Sequence, residues 1–304
     1  MAEDFAMEIR KIMRFTCCLL LGFGCPRSLS CIFSVTHYPF ITFLIHTSTL
    51  MEDTTSVAME LPHGMLMPAE WEPHRACLIL YPHNPQTFRL DQAQKAFLQV
   101  ATTIATVGNE DVYLLTKTKD EAEHLRQICH ANHRIHVGIC ESDDTWVRDT
   151  GPTCCFKGDD VIGLDWDFNC YGGPIEGCFW PCDLDQKIAQ RICSKDILNI
   201  PCYKVPIILE GGSIHTDGEG TLLVTKECLL NPNRNPHLSQ DEIENVLKMS
   251  LGVTKIIWLP HGLHADEDTN GHVDNFCCFT KPGHVVSSPM TNPISKSLDH
   301  NEFS

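Results

Sequence analysis

The segment "GHVDN" (271–275) sets an imidazole and a carboxylate two positions apart. On an extended strand, residues i and i+2 project to one face. This predicts that His272 and Asp274 reach into the same space. Two more acids fall in phase with them: Asp149 in "TWVRDTGP" (145–152), and Glu210 in "LEGGSIH" (209–215). Asp149 and Glu210 are 61 residues apart, and Glu210 and His272 are 62 apart. Three carboxylates and an imidazole gathered at one point are costly unless a cation offsets them. A guanidinium suits such a site: it is planar, carries its donors in a fixed fork and pairs with carboxylates two bonds at a time. Trp146 would supply an aromatic wall. Gly211, Gly212 and Gly271 would let the backbone crowd a ligand. A rival reading is a hydrolytic metal site in "HGLHADEDTNGHVD" (261–274), from His261, His264, Asp266, Asp268 and His272. That stretch lacks H-E-x-x-H spacing and reads as a polar loop, so no metal is assigned.

For these residues to meet, the elements before each of them must repeat. "ACLILY" (76–81), "DVYLLT" (111–116) and "RIHVGI" (134–139) read as strands, separated by helical patterns at 90–107 and 119–131. A longer unit then recurs about every 60 residues: hairpin, helix, strand. Its first copy has a hairpin at 153–168, a helix at 183–197 capped by Asp183, and a strand at 203–208. Its second has a hairpin at 211–225 turning at Asp217-Gly218, a helix at 239–252 opening with a Ser239/Glu242 capping box, and a strand at 254–259. A third hairpin is expected over 272–286, with a Lys-Pro-Gly turn. Units that cannot bury their own faces need neighbours. A ring of them, an α/β propeller, brings equivalent positions to one axis. An ordinary mixed α/β sheet is the alternative at this level.

Composition excludes some functions. The 304 residues carry a formal net charge of −16 and are 43% hydrophobic. An acidic surface argues against nucleic-acid binding; it suits a soluble protein and a cationic ligand. The 17 cysteines form no repeated C-x-x-C pattern, and many lie in apolar runs, as expected of reduced cytosolic thiols. Residues 1–50 read as a leader or irregular extension outside the fold. "EIRKIMR" followed by "FTCCLLLGFG" leaves a secretory signal as the alternative, but the apolar run is too short for a membrane-spanning helix. The folded domain is placed at 51–286, and 287–304 reads as an unpatterned tail. Cytoplasmic localisation and no membrane contact are expected; self-association is left open.

Five ordered motifs, "MPAEWEPH" (67–74), "TWVRDTGP", "LEGGSIH", "LLNPNRNP" (229–236) and "GHVDN", together resemble the agmatine deiminases, the plant form in particular, within the guanidino-group-modifying pentein superfamily. The resemblance implies a five-bladed α/β propeller, incomplete at its C-terminal end in this chain. It also implies cofactor-free hydrolysis of agmatine to N-carbamoylputrescine and ammonia, a step toward putrescine. Asp149 and Asp274 would grip the guanidinium, Glu210 would hold the polar network, and His272 would act as general acid and base. Trp146 and Trp71 would line the pocket, with Gly271 beside the substrate. The family's nucleophile is a cysteine in a Gly-Gly-x-Asn-Ile-His-Cys segment, and the 304 residues contain no such segment. Negligible turnover is therefore expected. A truncated isoform that binds guanidines or full-length subunits is the alternative. In "FNCYGGP" (168–174), Tyr171 stands where the resemblance leads one to expect Trp.

Overall fold

The computed structural model describes residues 61–288. The expectations for 1–60 and for 289–304 lie outside the described residues.

The described chain begins with a short strand, β1 (Met65–Leu66). Next come β2 (Cys77–Leu80), helix α1 (Leu90–Thr103), β3 (Val112–Thr116), α2 (Lys119–Cys129) and β4 (Ile135–Ile139). The three strands form a parallel sheet in the order β2-β3-β4. Parallel neighbours require crossovers, which the two helices supply. The amphipathic faces of α1 and α2 bring Phe97, Ala101 and Leu125 against Val112 and Leu114 of β3. The first helix ends just past the helical pattern at 90–107: α1 runs into a wider turn, and Asn109 ends it at φ 59°.

The first repeat contains a one-turn helix α3 (Val147–Thr150), β5 (Thr153–Lys157), β6 (Asp160–Asp167), two short helices, α4 (Gly173–Glu176) and α5 (Ile188–Cys193), and β7 (Cys202–Ile208). β5 and β6 form the predicted hairpin, and β7 lies parallel to β6. The helix is shorter than expected, and Asp183 does not cap it. The helical turn opens at Leu184 with no side-chain cap of its own. The carboxylate of Asp143, from another segment, accepts the Leu184 amide at 2.8 Å instead. A tertiary partner has replaced a local one, which sequence spacing could not show.

The second repeat has the same topology. β8 (Ile214–Thr216) and β9 (Thr221–Thr225) form its hairpin, followed by α6 (Lys226–Leu229), α7 (Gln240–Leu251) and β10 (Lys255–Leu259), which is parallel to β9. The Ser239/Glu242 capping box is formed in both directions, and Gly252 closes α7 at φ 68°, a conformation that favours glycine. The two repeats share one core: Leu164 and Val205 of the first meet Ile214, Leu222, Val224, Ile243 and Leu247 of the second. Each such fully buried aliphatic side chain contributes about 2 kcal/mol.

The third hairpin joins β11 (Cys277–Lys281) to β12 (His284–Ser287). Two details differ from expectation. Pairing runs one residue past the expected hairpin end at 286, to Ser287 opposite Cys277. In addition, 272–276 is not strand: Val273–Asn275 form a single tight helical turn. Similar turns precede the other hairpins, at Val147–Thr150 and Gly211–Ser213. The repeat therefore begins with a turn that reorients the chain, and the residues of interest sit on these turns. Among the described residues the four sheets do not close a ring, and no helix is long and apolar enough to cross a membrane.

Candidate active site

The three pre-hairpin turns meet around Gly212. A β-carbon on Gly212 would lie 2.6 Å from His272 Nδ1, 2.7 Å from Asp274 Oδ2 and 2.9 Å from Asp149 Oδ1. Only a hydrogen fits there. The second repeat presents its backbone to the side chains that the first and third repeats bring in. The Gly212 amide donates to Asp149 Oδ1 at 2.9 Å, and His272 Nδ1 lies 3.7 Å from the same oxygen.

Asp149, Asp274 and His272 line one cavity of about 170 Å³, together with Asp144, Trp146, Arg148, Tyr171, Phe179 and Asp268. His272 and Asp274 converge although the i, i+2 strand argument fails. Their meeting comes from the turn and from the packing of neighbouring repeats. Glu210 stands behind the wall, fully buried, with Oε2 3.8 Å from His272 Nε2. Trp71 is 40% exposed and does not line the cavity. The Ala69–Glu72 turn leaves it outward, and its neighbour Glu70 reaches inward to accept Arg148 Nη2 at 2.5 Å. Gly271 also lies off the cavity wall. Its φ of 88° and its close approach to Gly262 set the chain direction ahead of His272, and its carbonyl accepts Thr225 Oγ1 at 2.7 Å.

Several residues emerge that spacing did not single out. Asp144 accepts Thr87 Oγ1 at 2.6 Å and the Trp146 indole N–H at 3.1 Å, and so holds the aromatic wall upright. Tyr171, on the opposite wall, donates its hydroxyl to Asp149 Oδ2 at 2.8 Å. Its φ is 66° and that of Cys170 is 60°, strained values for side-chain-bearing residues. The most consequential addition is Arg234. It is buried beside Glu210, donating Nε to Oε1 at 2.7 Å. Its Nη1 donates to the Tyr171 carbonyl and to Asn233 and Asn270, and its Nη2 to the Thr269 carbonyl. One guanidinium thus ties four loops together. The motif "LLNPNRNP" contained it, but a lone Arg in a polar stretch gives no sign of burial.

Electrostatics follow from this crowding. Burial and the charges of Asp149 and Glu70 push Asp274 up to about 7, against the pull of His272 and Arg148. Burial alone would lower the His272 pKa; the adjoining Cys228 sulfur, Glu210 and Asp149 outweigh it and hold the imidazole well above its ordinary value. Burial opposes the charge on Glu210, but Arg234 and His272 keep it below the usual carboxylate range. Arg148, the basic side chain on the wall, is already paired with Glu70. The cavity therefore has excess negative potential between two aromatic walls. A flat cation fits that combination, since it can be sandwiched by rings and held at its edges by carboxylates.

The sequence profile of a family described as Porphyromonas-type peptidyl-arginine deiminase matches residues 66–302. The chain belongs to this family. An agmatine deiminase of Medicago truncatula is 44% identical over 249 residues, which cover 79% of this chain and 65% of the relative. An agmatine deiminase of Pseudomonas aeruginosa is 47% identical over 228 residues, covering 73% and 60%. The solved agmatine deiminase of Enterococcus faecalis superposes with a TM-score of 0.66 at 37% identity, over 73% of this chain and 60% of that one. The chain spans about three fifths of the length of the curated relatives it matches. This family member has the α/β pentein fold that the motif resemblance implied. In the rival metal loop, Asp266 is occupied by Thr269 and Asn275, and His261 lies 3.8 Å from Glu227. The five residues of that reading do not gather around a common point among the described metal-capable clusters.

Proposed function

We propose that this chain recognises agmatine by its guanidinium group and carries the proton-transfer machinery for its deimination to N-carbamoylputrescine. The observation that supports this reading is the convergence of Asp149, Asp274 and His272 on the Gly212 backbone at the end of an aromatic-walled, acidic cavity. Asp149 and Asp274 accept the guanidinium N–H groups. Trp146, Tyr171 and Phe179 flank its plane. His272, held as an imidazolium by Glu210 and Asp149, is placed to give a proton to a departing ammonia. The neutral imidazole left behind can then take one from water.

The covalent route needs a thiolate that attacks the guanidinium carbon. Two described thiols border the site, and burial pushes both up: Cys178 on the cavity wall and Cys228 beside His272. Neither is an activated nucleophile. This favours a second reading of the 304-residue chain, as a guanidine binder with negligible turnover of its own. Ammonia release from agmatine separates the two. Binding without ammonia supports the second reading. Saturable release abolished by His272→Ala supports catalysis, with a thiol recruited from elsewhere in the chain. No binding at all contradicts both.

A further inference from the structure

A second cluster lies away from the cavity, at the start of the parallel β2-β3-β4 sheet. The cavity residues Thr87, Asp144 and Trp146 follow the C-terminal ends of β2 and β4; this cluster sits at the opposite edge. Cys77 opens β2, Glu110 just precedes β3, and His74 lies in the segment leading into β2. None of the three lines the cavity.

His74 Nε2 lies 2.9 Å from the Glu70 carbonyl oxygen. A carbonyl only accepts, so Nε2 carries the proton, and in the neutral ring Nδ1 presents a bare lone pair. That lone pair faces Glu110 Oε2 at 3.4 Å, and the Cys77 thiol points at the same oxygen at 3.2 Å. Two acceptors facing each other repel unless a proton on Nδ1 or a metal cation lies between them. A metal-bound histidine has this arrangement, with its second nitrogen donating to a backbone carbonyl that fixes tautomer and ring orientation. The separations fit as well. Around tetrahedral Zn²⁺, donors at about 2.0–2.3 Å from the metal stand about 3.3–3.6 Å from one another. The three donor atoms here all lie within 4.8 Å of one another.

We infer that His74 Nδ1, Cys77 Sγ and Glu110 Oε2 form a Zn²⁺ site, with solvent in the fourth position. Imidazole, thiolate and carboxylate together suit Zn²⁺ or Co²⁺ over Mg²⁺ or Ca²⁺. Without metal, burial and the hydrogen bond to Glu110 hold Cys77 far above its ordinary value, as a neutral thiol. Binding therefore forms an S–Zn bond, releases the thiol proton to solvent, and tightens as pH rises. The ion would pin the 70–77 segment, whose Glu70 carboxylate holds Arg148 at the cavity wall. This is a distal tether, distinct from the reaction proposed above, which uses no metal.

The test is titration of the chelator-stripped full chain with Zn²⁺ alone, and with Co²⁺ as a spectroscopic substitute. The expected result is one Zn²⁺ per chain and a thiolate-to-cobalt absorption in the near ultraviolet. Cys77→Ser should abolish that absorption and weaken Zn²⁺ at least tenfold, with an unchanged far-ultraviolet spectrum. If Cys77→Ser fails to fold, Glu110→Gln keeps the thiol and should show the same loss of affinity. Zn²⁺ affinity and a Co²⁺ spectrum that are equal in wild type and variants overturn the site, as does a wild type that takes up no metal.

Discussion

Asp274 carries the clearest pH signature. Its folded pKa, near 7, lies above the value near 3.9 of a free aspartate. A guanidinium needs the ionised form, so agmatine affinity should rise as pH climbs from 6 to 8 and flatten above. Calorimetric titrations across that range check this, and Asp274→Asn should remove the slope. The sign for stability is the reverse. A raised carboxylate pKa means the folded state holds more protons than the unfolded one between pH 4 and 7, so folding weakens as pH rises through that window. Asp274→Asn should therefore raise the melting temperature at pH 8, and the gain should vanish near pH 4. Tyr171→Phe removes a hydrogen bond to a charged acceptor, worth about 1.5–3 kcal/mol. Its agmatine Kd should rise at least tenfold, and its melting temperature should fall by several degrees. The candidate residue types were legible in the sequence because Asp149, Glu210 and His272 recur at one interval. Asp144, Arg234 and the outward turn of Trp71 were not, because burial and partner choice depend on segments far apart in the chain.

The turns before each hairpin do more positioning than the strands that follow. The sequence reading placed His272 and Asp274 on a strand and aimed them together by its two-residue period. The chain instead makes a turn there, and the same turn stands before β5 and β8. Glycine is required at 212 by the three side chains that crowd it. Gly212→Ala should displace Asp149 or His272, cost about 1–3 kcal/mol as an overpacked site, and weaken agmatine binding more than tenfold. Chemical denaturation and calorimetry read the two effects separately. The helices were legible wherever their caps were local. The Ser239/Glu242 box was visible in the sequence, and Ser239→Ala should cost about 1 kcal/mol in a urea melt. Where a cap came from another segment, as Asp143 does for Leu184, the sequence offered no sign of it.

Across the repeats, assembly depends on a buried ion pair. Arg234 and Glu210 are both almost wholly shielded from solvent, and Arg234 reaches the loops at Tyr171, Asn233, Thr269 and Asn270. Removing one partner leaves a buried charge unpaired, at a cost of about 3–5 kcal/mol. Arg234→Ala should therefore lower global stability by that order and loosen the cavity walls together, as hydrogen exchange at 169–171 and 269–272 would show. The 60-residue period announced that equivalent positions would meet. It could not announce that a single arginine would join the loops, since that requires knowing which of 23 basic residues is buried. The net charge of −16 should draw a cationic ligand, so the association rate for agmatine should fall as salt rises.

Calorimetric titration of the purified chain at pH 8 with agmatine and with putrescine decides whether three repeats build a guanidinium site. The two ligands share a primary amine, and only agmatine carries the guanidinium. Saturable one-to-one binding of agmatine, weakened more than tenfold by Asp149→Asn or Asp274→Asn and absent for putrescine, is the predicted result. Equal binding of the two ligands, or agmatine affinity untouched by both substitutions, would contradict it.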